Sequence, residues 1–178
     1  MRYLKGIAHF GLVLGHHGEG LFDLVGWTDS SWAQDPDSHC SVGGFVFDVA
    51  GSSVSWSLKR QPTVALSTVE AEYMASLNAM KEAVWLRVLL EDMGFPQTAA
   101  TLIHAHNQGC IALAHNPVAH SHAKHINIRH HFIQERLQNS EIWLEYCLTK
   151  DMLADIFTKQ LPCEAFEMFR LALGVVAV

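Results

Sequence analysis

The segment from Ser67 to Met93 has the pattern of one long helix, and it constrains the fold more than any other part of the chain. Ser67 or Thr68 can serve as the N-cap, and Glu70 follows at the spacing of a capping box. An apolar helical pattern then continues to the end of the segment. Glu70 and Glu72 lie in the first turns. Either acid could therefore be a surface charge that compensates the helix dipole or a functional carboxylate.

Short β-rich runs flank this helix on both sides. The pattern predicts strands at Leu21–Asp29, Val42–Asp48, Ser52–Leu58, Thr101–Ala105 and Glu141–Leu148. It predicts further helical segments at Asn107–His115, within His120–Gln138, at Lys150–Lys159 and at Pro162–Leu173. Three strands in a meander, followed by strands that alternate with helices, predict an α/β fold with a mixed sheet and helices on its faces.

The composition limits the classes of protein to which the chain can belong. Its 178 residues, nearly half of them apolar, suffice for one ordered domain with a sizeable core. We expect a lead-in over residues 1–20, the main domain over 21–160, and a C-terminal helix and tail over 161–178. Four scattered cysteines without a C-x-x-C pair favour reduced thiols in an intracellular compartment. We expect no membrane partner, since no apolar run is long enough to span a bilayer.

The formal net charge of −6 argues against a protein that binds nucleic acid mainly through a basic face. If a polyanion binds here, local basic groups and metal ions must hold it. Twelve histidines are present, and those at positions 120, 122 and 125 suggest a metal site. The stronger interpretation of these three is a loop without a zinc site, because no cysteine pair completes a zinc ligand set.

Three acids fall at positions where they could converge. Asp29 ends the first predicted strand, and Asp155 lies in the helical segment after the last one. Glu72 shares a helix face with a stripe of small residues, which would let the helix approach the sheet closely; these are Ala75, Ser76, Ala79 and Ala83. A cluster of carboxylates is stable only beside a cation, and Mg²⁺ prefers oxygen ligands. The alternatives are a turn-forming Asp29 and a solvated Asp155.

Several motifs together resemble the ribonuclease H domain of copia-type LTR retrotransposon Pol polyproteins. The resemblance runs from about Val25 to Gly174, and its motifs are GWTDSSWAQDPDSHCSVGGFVF, VSWSLKRQPTVALSTVEAEYMA, NQGCIALAHNPVAHSHAKHINIRHHFI and LADIFTKQLP. The segment RYLKG near the N-terminus resembles the tail of the reverse transcriptase region that precedes this domain. The chain is thus similar to the C-terminal part of such a polyprotein.

The resemblance implies a ribonuclease H-like fold, a five-stranded mixed sheet with flanking helices. It also implies metal-dependent hydrolysis of the RNA strand of RNA–DNA hybrids, with two Mg²⁺ or Mn²⁺ ions. The metal-binding acids of the family correspond to Asp29, Glu72 and Asp155. The implied partners are the RNA–DNA hybrid and an adjacent reverse transcriptase domain. The implied location is the cytoplasm, in virus-like particles, with the nucleus as the alternative.

One departure from the family pattern concerns its fourth acid. The family has an Asp directly before the Asn-Gln of its fourth strand, and here His106 stands at that position. Imidazole suits Zn²⁺ or Mn²⁺ better than Mg²⁺, and a protonated His106 would repel metal ions. We therefore expect His106 at the catalytic site but expect the second metal ion to bind poorly.

Basic and polar residues beside these motifs are candidates for contact with nucleic acid. They are Lys59, Arg60, Asn107, Gln108, Lys124, His125 and Arg129. A solvated turn or helix start is an equally good interpretation of the basic ones. Four tryptophans are expected in the core or at its edge rather than stacked on bases, namely Trp27, Trp32, Trp56 and Trp85.

Three functions follow from these observations. The first is a ribonuclease H impaired by His106. The second is a catalytically silent relic of the same fold, which either binds nucleic acid or has no activity. The third, which the sequence favours least, is a zinc-dependent histidine-rich module.

Overall fold

The structure is a computed structural model that describes residues 8–15, 22–116 and 124–178, with side chains left undescribed over 124–130. Its strands are β1 (Phe10–Leu12), β2 (Leu24–Ser31), β3 (Val42–Val49), β4 (Ser52–Arg60), β5 (Thr101–Ala105), β6 (Ile142–Tyr146) and β7 (Val175–Ala177). Its α-helices are α1 (Thr68–Asp92), α2 (Gln108–His115), α3 (Lys124–Gln138), α4 (Asp155–Thr158) and α5 (Cys163–Ala172). A 3₁₀ turn at Thr149–Asp151 precedes α4.

Five strands form one mixed sheet in the order β4-β3-β2-β5-β6. The pairs β4–β3 and β3–β2 are antiparallel, whereas β2–β5 and β5–β6 are parallel. The strand β2 is therefore central, and its carboxyl end lies at the same edge of the sheet as those of β5 and β6. This arrangement confirms the predicted α/β fold and its five-stranded mixed sheet.

The hairpin between β3 and β4 turns at Ala50 and Gly51, as predicted. Both residues have positive φ values, 52° and 73°. Two consecutive left-handed residues are the geometry of a type I′ turn, which matches the twist of the paired strands. The turn brings β4 back antiparallel to β3, with Ser52 opposite Val49.

The long helix α1 begins where the capping pattern predicts. The Ser67 hydroxyl accepts a hydrogen bond from the Glu70 backbone N–H at 3.2 Å, which makes Ser67 the N-cap. The Glu70 carboxylate accepts one in return from the Leu66 backbone N–H at 2.7 Å. Glu70 is thus confirmed as a charge that stabilises the helix start.

The predicted stripe of small residues on α1 lies against the sheet. Ala75, Ser76, Ala79 and Ala83 are all buried. Their small side chains let the helix pack closely on β2 and β3. Larger apolar residues fill the main core beside them, among them Phe47, Met80 and Ile103.

Two short strands were not apparent from the sequence pattern. β1 pairs with β7 in an antiparallel two-stranded sheet, with Phe10 opposite Ala177. The segment that precedes the main sheet is thereby hydrogen-bonded to the C-terminal tail. Near this pair, Phe169 of α5 packs with Val46 in a second apolar cluster, which Trp27 borders.

The prediction that the tryptophans lie in the core or at its edge is wrong for three of them. Trp32, Trp56 and Trp85 are 49%, 54% and 57% exposed. Trp56 lies on β4, whose outer edge has no neighbouring strand in the described sheet. The side chain of Trp27, in contrast, is partly buried against the cluster around Met152.

All four cysteines are free thiols. Within the described ranges, no helix combines the length and the apolar character that a bilayer crossing requires.

Candidate active site

Asp29 lies in the central strand β2, fully buried, and its two carboxylate oxygens accept different hydrogen bonds. Oδ2 accepts one from the Thr158 hydroxyl, and Oδ1 accepts one from the Lys159 ammonium at 3.1 Å. The strand continues two residues beyond Asp29. Asp29 is therefore a strand residue held by hydrogen bonds from α4 and the residue that caps it, rather than a turn-forming residue.

Asp155 is the first residue of α4 and is only 1% exposed. Its Oδ1 accepts a hydrogen bond from Lys159 at 2.7 Å. Burial raises the pKa of Asp155, while the Lys159 hydrogen bond opposes that rise. Because the carboxylate is buried, the interpretation of Asp155 as a solvated helical acid is wrong.

Glu72 lies in the second turn of α1, and its side chain points inward as predicted. It is 5% exposed, and its Oε2 atom has no hydrogen-bond partner among the described residues. Burial, followed by the nearby charge of Asp29, raises the pKa of Glu72 to about 8. The charge of Asp155 adds a smaller contribution to this rise, while the charge of Lys159 opposes it.

Two residues of this site, Thr158 and Lys159, were not predicted from the sequence. Both lie at the carboxyl end of α4, within the LADIFTK motif. The signal that could have revealed Lys159 is its spacing, since it follows Asp155 by four residues on a helical turn. Burial lowers the pKa of Lys159, but the Asp155 hydrogen bond and the charge of Asp29 more than reverse this effect, so that the pKa is raised.

His106 follows the last residue of β5, at the sheet edge that also carries Asp29. Its Nδ1 atom is buried and has no hydrogen-bond partner among the described residues. Its ring lies 6.5 Å from that of Tyr146, centroid to centroid. The nearness of His106 is the smallest of the influences on the pKa of Asp155, and it lowers that pKa. His106 therefore lies near Asp155, at the sheet edge that carries Asp29.

The donor chemistry of the site fits a hard divalent cation. Asp29 and Asp155 share the Lys159 ammonium, and the Oε2 atom of the buried Glu72 has no hydrogen-bond partner among the described residues. Oxygen donors of this kind are those that Mg²⁺ and Mn²⁺ take in proteins. Within the described ranges, no three His, Cys, Asp or Glu side chains are already arranged to enclose an ion. The Lys159 ammonium lies between Asp29 and Asp155.

Lys59 and Arg60 border a hollow of about 220 Å³ beside α1. Gly43, Gly44 and Asn78 line the same hollow. Arg60 forms an ion pair with Asp35 at 2.7 Å, whereas Lys59 forms none within the described ranges. Of the two basic residues, Lys59 therefore has the ammonium that is free to contact a phosphate.

The remaining residues predicted to contact nucleic acid differ in their surroundings. The Asn107 side chain caps α2 by accepting a hydrogen bond from the Cys110 backbone N–H at 2.9 Å, and Gln108 is exposed. Lys124, His125 and Arg129 lie on α3, but their side chains are outside the described part of the chain, as are His120 and His122. Asn107 thus has a structural role as a helix cap. The predictions for Lys124, His125 and Arg129 stay predictions.

Comparisons with known proteins agree with this fold. No family model matches the chain. The retrovirus-related Pol polyprotein from transposon RE1 of Arabidopsis thaliana is 36% identical over 178 residues. This alignment covers 100% of the chain but 12% of the relative, so the chain spans a small part of the polyprotein's length.

Two solved structures share the fold at low sequence identity. The N-terminal RNase H domain of rv2228c from Mycobacterium tuberculosis superposes with a TM-score of 0.54 at 12% identity, covering 85% of this chain and 98% of that one. LC11-RNase H1, solved in complex with an RNA/DNA hybrid, gives 0.52 at 13% identity, covering 76% of this chain and 93% of that one. The chain is therefore similar over its full length to a retrovirus-related Pol polyprotein, and it has the ribonuclease H fold.

Proposed function

We propose that this domain hydrolyses the RNA strand of RNA–DNA hybrids with the help of divalent metal ions, at a rate reduced by His106. The observation that carries the proposal is that a ribonuclease H fold buries Asp29, Glu72 and Asp155 on three separate elements, with the two aspartates in contact with Lys159. LC11-RNase H1, which shares this fold, was solved with an RNA/DNA hybrid. The adjacent partner would be a reverse transcriptase domain of the same polyprotein.

Each residue of the site has a distinct part in this function. Asp29, Glu72 and Asp155 would hold Mg²⁺ or Mn²⁺, which when bound activates water and stabilises the leaving oxygen of the phosphodiester. Thr158 orients the Asp29 carboxylate through its hydrogen bond. Lys59 would contact the nucleic-acid backbone in the hollow beside α1.

His106 is the residue that limits this activity. A fourth carboxylate at its position would add one negative charge beside Asp155. The imidazole adds none, so the site holds less charge to offset a second divalent ion. We propose that one ion binds through the three acids and that a second binds weakly.

A catalytically silent domain is the second candidate function, and two observations favour it. His106 stands at an acid position, and the Lys159 ammonium already contacts Asp29 and Asp155. Such a domain would retain the fold and could bind a hybrid duplex without cleaving it.

Cleavage of a labelled RNA–DNA hybrid in Mg²⁺ and in Mn²⁺ separates these functions. The unmodified protein, His106→Asp and the double variant Asp29→Asn/His106→Asp are compared after circular dichroism shows that each is folded. We expect His106→Asp to cleave faster than the unmodified protein and the double variant to be inactive. A folded His106→Asp variant without activity would refute the hydrolase proposal. An unmodified protein as fast as His106→Asp would exclude the silent domain.

A further inference from the structure

We propose that Lys159 is a resident counter-ion, a positioning residue whose ammonium occupies the space between Asp29 and Asp155 and must leave before a divalent cation can bind there. The inference rests on the proposed function, because it concerns the same three acids. It goes beyond that function by assigning to this chain a cation of its own that competes with the metal.

The geometry places one ammonium on both acids. Lys159 Nζ lies 3.1 Å from Asp29 Oδ1 and 2.7 Å from Asp155 Oδ1. The side chains of the two acids are 0% and 2% exposed, whereas that of Lys159 is 33% exposed. The lysine therefore reaches inward from the surface, and it has a route back to solvent that the acids lack.

The backbone directs Lys159 to this position. Lys159 is the C-cap of α4, and its N–H donates to the Asp155 carbonyl at 3.0 Å. A residue four positions after Asp155 lies above it on the same helix face. The preceding residue, Thr158, donates to the other oxygen of Asp29. One short turn thus supplies the hydrogen bonds to both oxygens of Asp29.

The charges explain why this contact differs from an ordinary surface ion pair. Two buried carboxylates repel each other, and burying them without a counter-charge is costly. Together with the Lys159 ammonium, Asp29 and Asp155 carry a net charge of −1; without it they carry −2. A divalent cation that approaches this pair meets a positive group at the oxygens it needs. Removing that group should strengthen cation binding while weakening the metal-free fold.

The sequence around β5 makes the competition more severe. His106 occupies the position where an additional carboxylate would favour the metal over the lysine. Since the imidazole of His106 adds no negative charge, the Lys159 ammonium has to neutralise only Asp29 and Asp155. The resident ammonium should therefore hold its place more firmly than it would in a variant with a carboxylate at position 106.

Calorimetric titration of the whole chain with MgCl₂, in the absence of nucleic acid, tests the proposal. Lys159→Met removes the charge and keeps an unbranched side chain, and Lys150→Met makes the same change at an exposed lysine on the neighbouring 3₁₀ turn. We expect Lys159→Met to bind Mg²⁺ roughly tenfold or more tightly than the unmodified protein, and Lys150→Met to bind it unchanged. Equal or weaker binding by folded Lys159→Met, including no binding by either protein, overturns the proposal.

A second measurement uses the unmodified protein and does not depend on a variant that folds. The Lys159 side-chain ammonium resonance, assigned by NMR in chelator, should shift as Mg²⁺ saturates the site, because the ammonium loses its contacts with the two acids. An unchanged resonance at saturation, or the absence of any saturable Mg²⁺ site, overturns the proposal. Neither measurement uses cleavage. If His106→Asp shows no cleavage and the hydrolase proposal fails, the role of Lys159 is still decided by these two measurements.

Discussion

Thr158 donates a hydrogen bond from its hydroxyl to Asp29 Oδ2, although 129 positions separate the two residues in the chain. Both side chains are buried. The contact joins the central strand β2 to the short helix α4 and fixes the direction of the Asp29 carboxylate. It therefore couples the stability of the C-terminal segment to the geometry of the candidate site.

Thr158→Val should destabilise the protein by about 1–3 kcal/mol, because the substitution keeps the shape but leaves a buried carboxylate oxygen without its donor. Urea unfolding in the presence of a chelator measures the change. Thr149→Val, at an exposed threonine on the 3₁₀ turn, is the matched control and should change the stability little. Equal losses in the two variants would contradict a special role for the Thr158 hydroxyl.

The stability of the metal-free protein should fall as the pH rises from about 4.5 to about 8, owing to Glu72. In the folded state its pKa is raised to about 8 from an ordinary value of 4.5, so the folded protein retains a proton that the unfolded chain releases. Below that window the contribution of Glu72 to stability is fully present, and it is lost as the pH passes through the folded pKa.

Glu72→Gln removes this titration. Its stability relative to the unmodified protein should therefore increase across the same pH range, as measured by thermal unfolding in chelator. The exposed Glu91 on the same helix supplies the control Glu91→Gln. A difference between Glu72→Gln and the unmodified protein that stays constant from pH 4.5 to 8 would refute this assignment.

Lys59→Met should weaken the binding of an RNA–DNA hybrid and reduce the slope of log affinity against log salt by about one, the loss expected for one phosphate contact. The reason is that Lys59 borders the hollow beside α1 and forms no ion pair within the described ranges. Fluorescence anisotropy in EDTA at several salt concentrations measures both quantities without cleavage. Lys81→Met, at an exposed lysine on α1, controls for the loss of net charge. The two variants should differ in the slope of log affinity against log salt. Identical slopes would show that the nucleic acid does not contact Lys59.

Much of the fold could be predicted because its signals are local. The capping box at Ser67 and Glu70 marked the start of α1, and the Ala50-Gly51 pair marked the hairpin. The small-residue stripe on α1 distinguished Glu72 from Glu70, because a helix face that packs closely on a sheet directs its side chains inward. The pairing of β1 with β7 could not be predicted, since two three-residue strands carry no periodicity.

The tryptophans show where local reasoning failed. A large aromatic residue favours burial on average, yet Trp56 lies on an edge strand whose outer side has no partner strand in the described sheet. A strand at the edge of a sheet and a strand at its centre have the same alternating pattern in a sequence. Only the order of strands in the sheet distinguishes them.

The sequence by itself determined the elements of the main sheet and its helices, their order and the acids available for chemistry. Helix caps, turns and alternation depend on residues close together in the chain. The tertiary structure decided how those acids are neutralised. Burial raises the pKa of Glu72, and the folding of α4 against β2 brings Lys159 to Asp29 across 130 positions. Desolvation and contact between distant residues exist only once the chain has folded. The charge state of the site is therefore a property of the fold.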